Sequence, residues 1–219
     1  SLVVPNGPMK IDDQVEATVS VNDDKGNVYS LVSGDIAGYP ITSLTRVSNT
    51  SYKAIFSISE GGTDVPADSD ILVNNFIIRD GLGNTDTLSS YGLTNSSDAI
   101  DANRPGINAI SIPDDTMRVG DTVTVSLFTT EAEPYLDLVS GTVGGNSLFG
   151  LEKITDGQFA LYFEILETST GYTASSDIPY QNLVVSDSLG NQNMAISGTF
   201  NGLNDPIFSS KPNASISGG

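Results

Sequence analysis

Acidic and amide side chains that could bind a metal ion recur between the apolar runs of this 219-residue sequence. The chain has 27 Asp and Glu against 9 Lys and Arg, which gives a formal net charge of −18. Carboxylate and amide oxygens suit Ca²⁺, which accepts about six to eight of them in irregular geometry, whereas Mg²⁺ demands a stricter octahedron and keeps its waters. The candidate calcium ligands are Asp13, Asp68, Asp70, Asp101, Asn103, Glu131, Glu133 and Asp187.

The same acids have a second interpretation as solvated loop residues. Asp and Asn are common in turns because their side chains hydrogen-bond to the neighbouring backbone, and a high net charge of one sign favours solubility. Asp101 and Asn103 are the strongest candidates for a metal-binding role, because nothing in their segment needs turn chemistry. Both interpretations stay open at this stage.

Composition excludes several classes of function. The sequence has no Cys, His or Trp, so thiolate or imidazole metal sites and the usual nucleophile–base pairs are missing. The negative charge opposes binding to nucleic acid and to anionic lipid. We therefore expect no nucleic-acid partner, no direct membrane contact and no enzymatic activity. Because the sequence starts with Ser1 rather than Met, we also expect it to be part of a longer protein.

The elements that must position these residues are present twice. The sequence Leu-Val-Ser-Gly at 31–34 returns at 138–141, and the turn Asp80 to Asn84 returns as Asp187 to Asn191, both 107 positions later. A period of about a hundred residues is too long for a solenoid and matches one complete sandwich domain. The sequence predicts repeats over 1–103 and 104–212, with a linker within 95–105 and a tail or a further repeat over 213–219.

Apolar residues alternate with polar ones along each copy, which is the pattern of half-buried strands. Seven strands are predicted in the first copy, A to G, near 2–4, 15–21, 28–32, 41–47, 52–58, 72–79 and 85–93. Strand E carries Tyr52, Ala54, Phe56 and Ile58, which correspond to Phe159, Leu161, Phe163 and Ile165 in the second copy. The predicted fold class is all-β, with two tandem immunoglobulin-like (cadherin-like) β-sandwiches joined by a short linker.

In such a sandwich the BC, DE and FG loops lie at one end, and the AB, CD and EF loops lie at the other. In a tandem array, the second end of one domain faces the first end of the next. The candidate ligands come from the AB and EF loops of the first copy, from the linker, and from the BC and FG loops of the second. We therefore expect them to converge at the junction between the copies.

The sequence resembles the tandem Ig-like or cadherin-like extender repeats of large Gram-negative surface adhesins, including RTX adhesins. Three short motifs match the cadherin scheme in kind and order: Asp68-Ser69-Asp70, Asp101-Ala102-Asn103 and Glu131-Ala132-Glu133. The resemblance implies interdomain Ca²⁺, an extracellular location on a bacterial cell surface, and a non-enzymatic segment that projects a distal ligand-binding region. Its implied partners are the adjacent repeats of the same chain, and the segment is expected to be a monomer.

The linkers depart from the cadherin pattern. Arg104 and Pro105 stand where that pattern continues with Asp and Asn, so one or two ions are expected rather than three. The second linker has Phe208-Ser209-Ser210-Lys211 in the corresponding place and is expected to bind calcium poorly.

A second function class is a module that binds a host or cell-surface glycan or protein. Aromatic residues specific to one copy are the place to look for it, because shared ones are expected in the core. Tyr39, Tyr135, Tyr172 and Tyr180 lack aromatic counterparts and are predicted to be exposed.

Overall fold

The computed structural model describes residues 1–93, 98–200 and 205–211, with the backbone alone at 89–91. The chain divides into two units, Ser1–Arg104 and Pro105–Gly219. Residues 95–97 of the predicted linker, residue 212 and the predicted tail over 213–219 lie outside the described residues, as does the side chain of Tyr91.

The described residues of the first unit form ten strands, eight of them in two main sheets. One sheet has the order β1-β3-β7-β6 and the other has the order β5-β4-β8-β9. A short parallel pair joins β10 to β2. The strands are β1 (Leu2–Val3), β2 (Met9–Lys10), β3 (Gln14–Ser20), β4 (Ser30–Ile36), β5 (Tyr39–Pro40), β6 (Ser43–Ser48), β7 (Ser51–Ser57), β8 (Ile71–Arg79), β9 (Thr85–Leu93) and β10 (Ile100–Asp101).

The second unit repeats this topology. Its sheets have the orders β11-β13-β17-β16 and β15-β14-β18-β19, and β12 pairs in parallel with β20. The strands are β11 (Ile107–Ser111), β12 (Met117–Arg118), β13 (Thr122–Thr129), β14 (Asp137–Val143), β15 (Asn146–Ser147), β16 (Phe149–Thr155), β17 (Gln158–Glu164), β18 (Ile178–Ser186), β19 (Ile196–Phe200) and β20 (Ile207–Phe208).

This strand order is that of an immunoglobulin-like sandwich, with A-B-E-D in one sheet and C′-C-F-G in the other. The prediction of an all-β fold made of two tandem Ig-like sandwiches is confirmed. In the described part of the chain no helix is long and apolar enough to cross a membrane.

The predicted core of strand E is confirmed in both units. Tyr52, Ala54 and Phe56 in β7 are fully buried, and so are Leu161 and Phe163 in β17. Each core combines residues from both sheets of its unit. Burial of apolar surface between the sheets therefore holds each sandwich together, at roughly 25 cal/mol per Å² removed from water.

Strand C was predicted to end at residue 32, and this is wrong, because β4 continues to Ile36. The Ser-Gly pair at 33–34 reads as a turn, but it forms a bulge within the strand. Gly34 has φ +149°, and the facing residue Asn75 in β8 has φ +46°. The hydroxyl of Ser33 donates to the carbonyl of Asn75 at 3.2 Å.

The same bulge is present in the second unit and explains why Leu-Val-Ser-Gly occurs twice. Gly141 has φ +154°, Asn182 has φ +51°, and the hydroxyl of Ser140 donates to the carbonyl of Asn182 at 2.8 Å. A Cβ on Gly34 would lie 2.9 Å from the Cα of Phe76 in the facing strand. Glycine is required here both by its dihedral angle and by the close approach of the facing backbone.

Replacing Gly34 by Ala should lower the free energy of unfolding of the first unit by roughly 2 to 5 kcal/mol, since strain and overpacking add. Gly7→Ala is the matched control, because Gly7 has φ +145° and a Cβ there would meet nothing within 4 Å. That variant should lose only the strain contribution, about 1 to 3 kcal/mol. Urea denaturation measures both, and equal losses would show that the contact with Phe76 is unimportant.

Candidate functional site

The acids at the end of the first unit have a counter-charge within that unit. The Arg104 guanidinium lies 2.5 Å from a carboxylate oxygen of Glu60 and 3.3 Å from one of Asp12. The Arg104 backbone amide also donates to Glu60 at 3.2 Å. Arg104, which the predicted boundary gave to the second repeat, thus pairs with acids of the first unit and offsets part of their repulsion.

Asp101 and Asn103 are held together by hydrogen bonds. The Asn103 backbone amide donates to Asp101 Oδ1 at 3.0 Å, and its side-chain amide donates to Asp64 Oδ2 at 2.7 Å. Asp64 Oδ1 accepts from the Ala102 backbone amide at 2.8 Å. These bonds are turn chemistry, which the sequence did not indicate for this segment.

Asp64 and Glu60 were not among the predicted site residues. No spacing in the sequence connects them to the linker, because the antiparallel bridge between Val65 and Ile100 is a tertiary contact. The only signal was the pair of acids that flanks a Gly-Gly turn at 61–62.

Tyr39 was predicted to be exposed, and this is wrong. The side chain is 3% exposed, and its hydroxyl donates to the Thr63 carbonyl at 2.9 Å. Burial raises the pKa of Tyr39, and the charges of Asp64 and Asp101 raise it further. Tyr39 thus belongs to the first core beneath these acids rather than to a binding surface.

The other first-unit candidates lie in turns. The Lys10 backbone amide donates to Asp13 Oδ2 at 2.9 Å, which closes the turn after β2. Asp68 is exposed and adopts φ +68°, and Asp70 packs against Gly92, where an added Cβ would lie 2.9 Å from its Oδ2.

In the second unit, Glu131 and Glu133 lie in the loop between β13 and β14. The Glu133 amide donates to the Glu131 carbonyl at 2.9 Å, and the Gly157 amide donates to the Glu133 carbonyl at 3.2 Å. The Glu131 side chain is exposed, and that of Glu133 is half-buried. The backbone of this loop is therefore ordered, and its carboxylates lie at or near the surface.

In the first unit, the corresponding loop carries a buried carboxylate, Asp24, that pairs with Arg46 of β6. Asp24 is 3% exposed and accepts two hydrogen bonds from Arg46, at 2.6 Å from Nε and 3.0 Å from Nη2. The Tyr52 hydroxyl donates to Asp24 at 2.7 Å and the Gly26 amide at 2.9 Å. The Arg46 hydrogen bonds are the largest of the effects that hold the pKa of Asp24 far below its usual range.

Asp187 differs from every other predicted ligand. It is 7% exposed, and its Oδ1 accepts from the backbone amides of Leu189 and Asn191, each at 2.9 Å. Its Oδ2 is buried and has no hydrogen-bond partner. A buried carboxylate oxygen without a donor is costly, so this atom is suited to a cation.

The equivalent turn of the first unit has no such oxygen. Asp80 accepts from the backbone amides of Leu82 and Asn84 through Oδ1 and from the Asn84 side chain at 2.9 Å through Oδ2. The Asn84 side-chain bond is the main reason that the pKa of Asp80 is lowered. The two FG turns thus share four of their five residues and differ in how they satisfy their carboxylate.

Among the described residues, no three Asp or Glu side chains come close enough together to form a metal-holding group. The predicted site takes acids from both units, and the geometry inside either unit does not test whether those acids meet. The predicted calcium ligands therefore stay a prediction.

Aromatic side chains are exposed on the second unit. Tyr135 is 47% exposed and Phe149 is 48% exposed. Phe149 packs against Tyr162 with ring centroids 6.1 Å apart. Phe149 also lines a cleft of 360 Å³ together with Asn146, Glu164 and Ser169. Tyr172 and Tyr180 are only half-buried and pack against the second core.

No protein-family model matches this sequence, and comparison with curated proteins gives no match. Among solved structures, the chain is similar to the fibronectin(III)-like modules of Clostridium thermocellum CbhA, with 10% identity, TM-score 0.34, and coverage of 95% of this chain and 93% of that one. It is also similar to murine CEACAM1b, with 9% identity, TM-score 0.33, and coverage of 95% and 100%. The tandem Ig repeats of Dlar give 12% identity, TM-score 0.25, and coverage of 95% and 96%.

At these scores the similarities say nothing about function, and the assignment of the fold stands on the strand order of each unit.

The pair of buried Asp24 with Arg46 predicts a pH dependence of the stability of the first unit. Because the folded-state pKa of Asp24 is depressed, its contribution to stability is present above the unfolded pKa of about 4 and is lost as pH falls toward the folded value. Arg46→Met should therefore destabilise the first unit at pH 7 and have a smaller effect at pH 2–3.

The matched control is Lys153→Met in the second unit, where the counterpart of Tyr52 is Phe159 and Lys153 pairs with the exposed Asp156. Thermal unfolding followed by circular dichroism at pH 7 and pH 3 measures both variants. An Arg46→Met penalty that does not change with pH would contradict this assignment.

Proposed function

We propose that this chain is a non-enzymatic extender segment of a long bacterial cell-surface adhesin, in which calcium at the junction of the two sandwiches limits bending. The segment projects a distal ligand-binding region away from the cell and works as a monomer in contact with the adjacent repeats of its own chain. The observation that carries this proposal is how little backbone is left unanchored between the two units.

Both sides of the connection are tied into their own sandwich. The backbone amides of Asn103 and Arg104 donate to Asp101 and Glu60 in the first unit. The Gly106 carbonyl accepts from the Thr130 amide at 2.8 Å in the second. Only Pro105 stands between these bonds, and its ring restricts φ. A connection of this kind supports a spacer, because a long flexible linker would let the domains reorient freely.

Calcium would restrict the bending that this connection still allows. Asp187, with its unpartnered Oδ2, is the strongest ligand candidate in the second unit, and Glu131 and Glu133 are the other acids there. In the first unit Asp101, Asn103, Asp13, Asp68 and Asp70 would contribute. Because Arg104 already neutralises two acids at this end of the first unit, few ions are expected. Affinities of about 10⁻⁴–10⁻³ M are typical of extracellular modules.

Chelation of calcium should lower the melting temperature of the 219-residue chain and broaden its interdomain distances in solution scattering. An ion that binds only the ordered junction stabilises it by mass action, by about 1–3 kcal/mol at ten to a hundred times Kd. Asp187→Asn should remove most of this calcium dependence, and Asp80→Asn, in the turn whose carboxylate is already satisfied, should leave it intact. If neither calcium nor Asp187→Asn changes the melting temperature and the interdomain distances, the acids are solubilising residues only.

A glycan- or protein-binding module is the second candidate function, favoured by the exposed Phe149, which packs on the half-buried Tyr162 and lines a polar cleft. Thr42 and Ile55 occupy the equivalent positions of the first unit, so the pair is specific to one copy. An aromatic face beside amide, carboxylate and hydroxyl groups suits a sugar ring.

A glycan array probed with the 219-residue chain tests this second candidate. Reproducible binding that Phe149→Ala reduces at least tenfold would support it, and Phe208→Ala, at a 55% exposed Phe elsewhere on the unit, is the control. Binding to no glycan, or equal loss in both variants, would contradict a site at this cleft.

A further inference from the structure

An apolar cleft lies between the two sheets of the first unit, beside the start of its first strand. It has a volume of 640 Å³ and is lined by β1 and β3 of one sheet and by β8 and β9 of the other. Three of its lining residues, Val21, Tyr29 and Ile78, pack against the first core but are only half-buried. A fourth, Leu88, is 37% exposed. The core of this unit is therefore open to water at the cleft.

The same positions are closed in the second unit. The counterparts of Val21, Tyr29 and Ile78 lie 107 or 108 residues later, at Thr129, Leu136 and Val185. These counterparts are 8%, 3% and 0% exposed. Because the two units have the same strand order, the difference comes from the groups that cover these positions.

The start of β11 covers them in the second unit. Ile107 is paired with Thr129 at the edge of β13 and packs against the second core. The Gly106 carbonyl accepts from the Thr130 amide at 2.8 Å, which fixes the beginning of the strand on β13. The strand that enters this sandwich thus supplies an apolar side chain that helps to close its core.

Asn193 covers the same region from the side of β18. Its side chain is 7% exposed, and its Oδ1 accepts from the Val185 amide at 2.7 Å. Its counterpart Asp86 is exposed and lines the open cleft of the first unit. Of the two covering groups, only Ile107 supplies apolar surface.

The strand register shows where a counterpart of Ile107 would lie in the first unit. Ala109 pairs with Phe128 in the second unit, and in the first unit the Ser20 amide donates to the Ser1 carbonyl at 2.7 Å. Ser1 therefore has the place of Ala109, and it lines the cleft. An extended segment two residues ahead of Ser1 would run along β3 beside Val21 and reach the cleft.

We propose that this cleft binds an extended segment that continues β1 beyond Ser1 and places one branched apolar side chain beside Val21, Tyr29 and Ile78. The occupant is the end of a preceding repeat's linker, so this inference rests on the proposed function, in which adjacent repeats of the same chain are the partners. Addition to a strand edge supplies main-chain hydrogen bonds, and the cleft selects the side chain. Each linker thus ends inside the sandwich that follows it.

Fusion of the tripeptide Gly-Ile-Asn, a copy of residues 106–108, ahead of Ser1 tests this proposal in the ¹⁵N-labelled 219-residue chain. Hydrogen exchange of the Asn22 amide should slow by about tenfold or more, because Asn22 is the counterpart of Thr130 and gains a carbonyl acceptor. The melting temperature of the first unit, followed by the amide signals of β3, should rise by roughly 4 to 8 °C. Gly-Asp-Asn is the control of equal length and should produce neither effect, since its charged side chain does not enter an apolar cleft.

A substitution in the wall of the cleft locates the added segment. Leu88→Ser should reduce the gain from Gly-Ile-Asn by half or more. The chain without the tripeptide should stay folded, because Leu88 is partly exposed. Leu82→Ser, at a 77% exposed Leu in the FG turn outside the cleft, is the control and should leave the gain intact.

The reciprocal change removes the covering side chain of the second unit. Ile107→Ser should speed hydrogen exchange of the Thr130 amide by about tenfold or more and leave the Asn22 amide unchanged. If Thr130 exchange does not respond, Ile107 does not hold the start of β11 and the comparison on which the proposal depends is wrong.

Two further results would overturn the proposal. One is equal protection of Asn22 by Gly-Ile-Asn and Gly-Asp-Asn, which would show strand pairing without use of the cleft. The other is a gain in melting temperature that Leu88→Ser does not reduce. All of these measurements are made in EDTA, so failure of the calcium proposal leaves them unaffected, and failure of the cleft proposal does not alter the response to calcium.

Discussion

Each carboxylate that folding removes from water in this protein must be given a donor or a cation, and the rest of the structure is arranged around that constraint. With a net charge of −18, the chain has few Lys and Arg to use. Asp24 accepts hydrogen bonds from Arg46 and Tyr52. Asp98 accepts one from the Gly7 amide, and Asp187 accepts two from backbone amides. The acids left without full compensation are the places where an added cation has most to offer.

The two units have the same strand order but compensate their buried carboxylates differently. Their sheets have identical strand orders and the same bulge at Gly34 and Gly141, because core packing and the close approach of facing strands tolerate little change. The loops are freer. The first unit satisfies its acids with Arg46, Arg104 and amide groups, and the second leaves Asp187 and Asp205 each with an oxygen that lacks a donor. The duplication that produced one fold twice thus left two kinds of electrostatic surface.

Most of the fold could be predicted from alternation, because a strand with one buried face has to repeat every second residue. The short strands β2, β5 and β10 were not predicted. The end of strand C was also missed, because Ser33 and Gly34 look like a turn when read alone. Only the facing residue Asn75, with φ +46°, makes the pair a bulge. The site was less predictable. Tyr39 was expected at the surface and is buried, since nothing in the local sequence shows that its hydroxyl reaches the Thr63 carbonyl.

The sequence by itself determined the class of fold, the number of domains and the supply of oxygen ligands, because these depend on local periodicity, repetition and composition. Tertiary structure alone decided which acids are already satisfied. Arg104, for example, reaches Asp12 and Glu60 across about ninety and forty residues of chain. Whether a carboxylate is a solvated turn residue or a candidate ligand depends on burial and on donors brought from distant segments, and neither can be read from its neighbours in sequence.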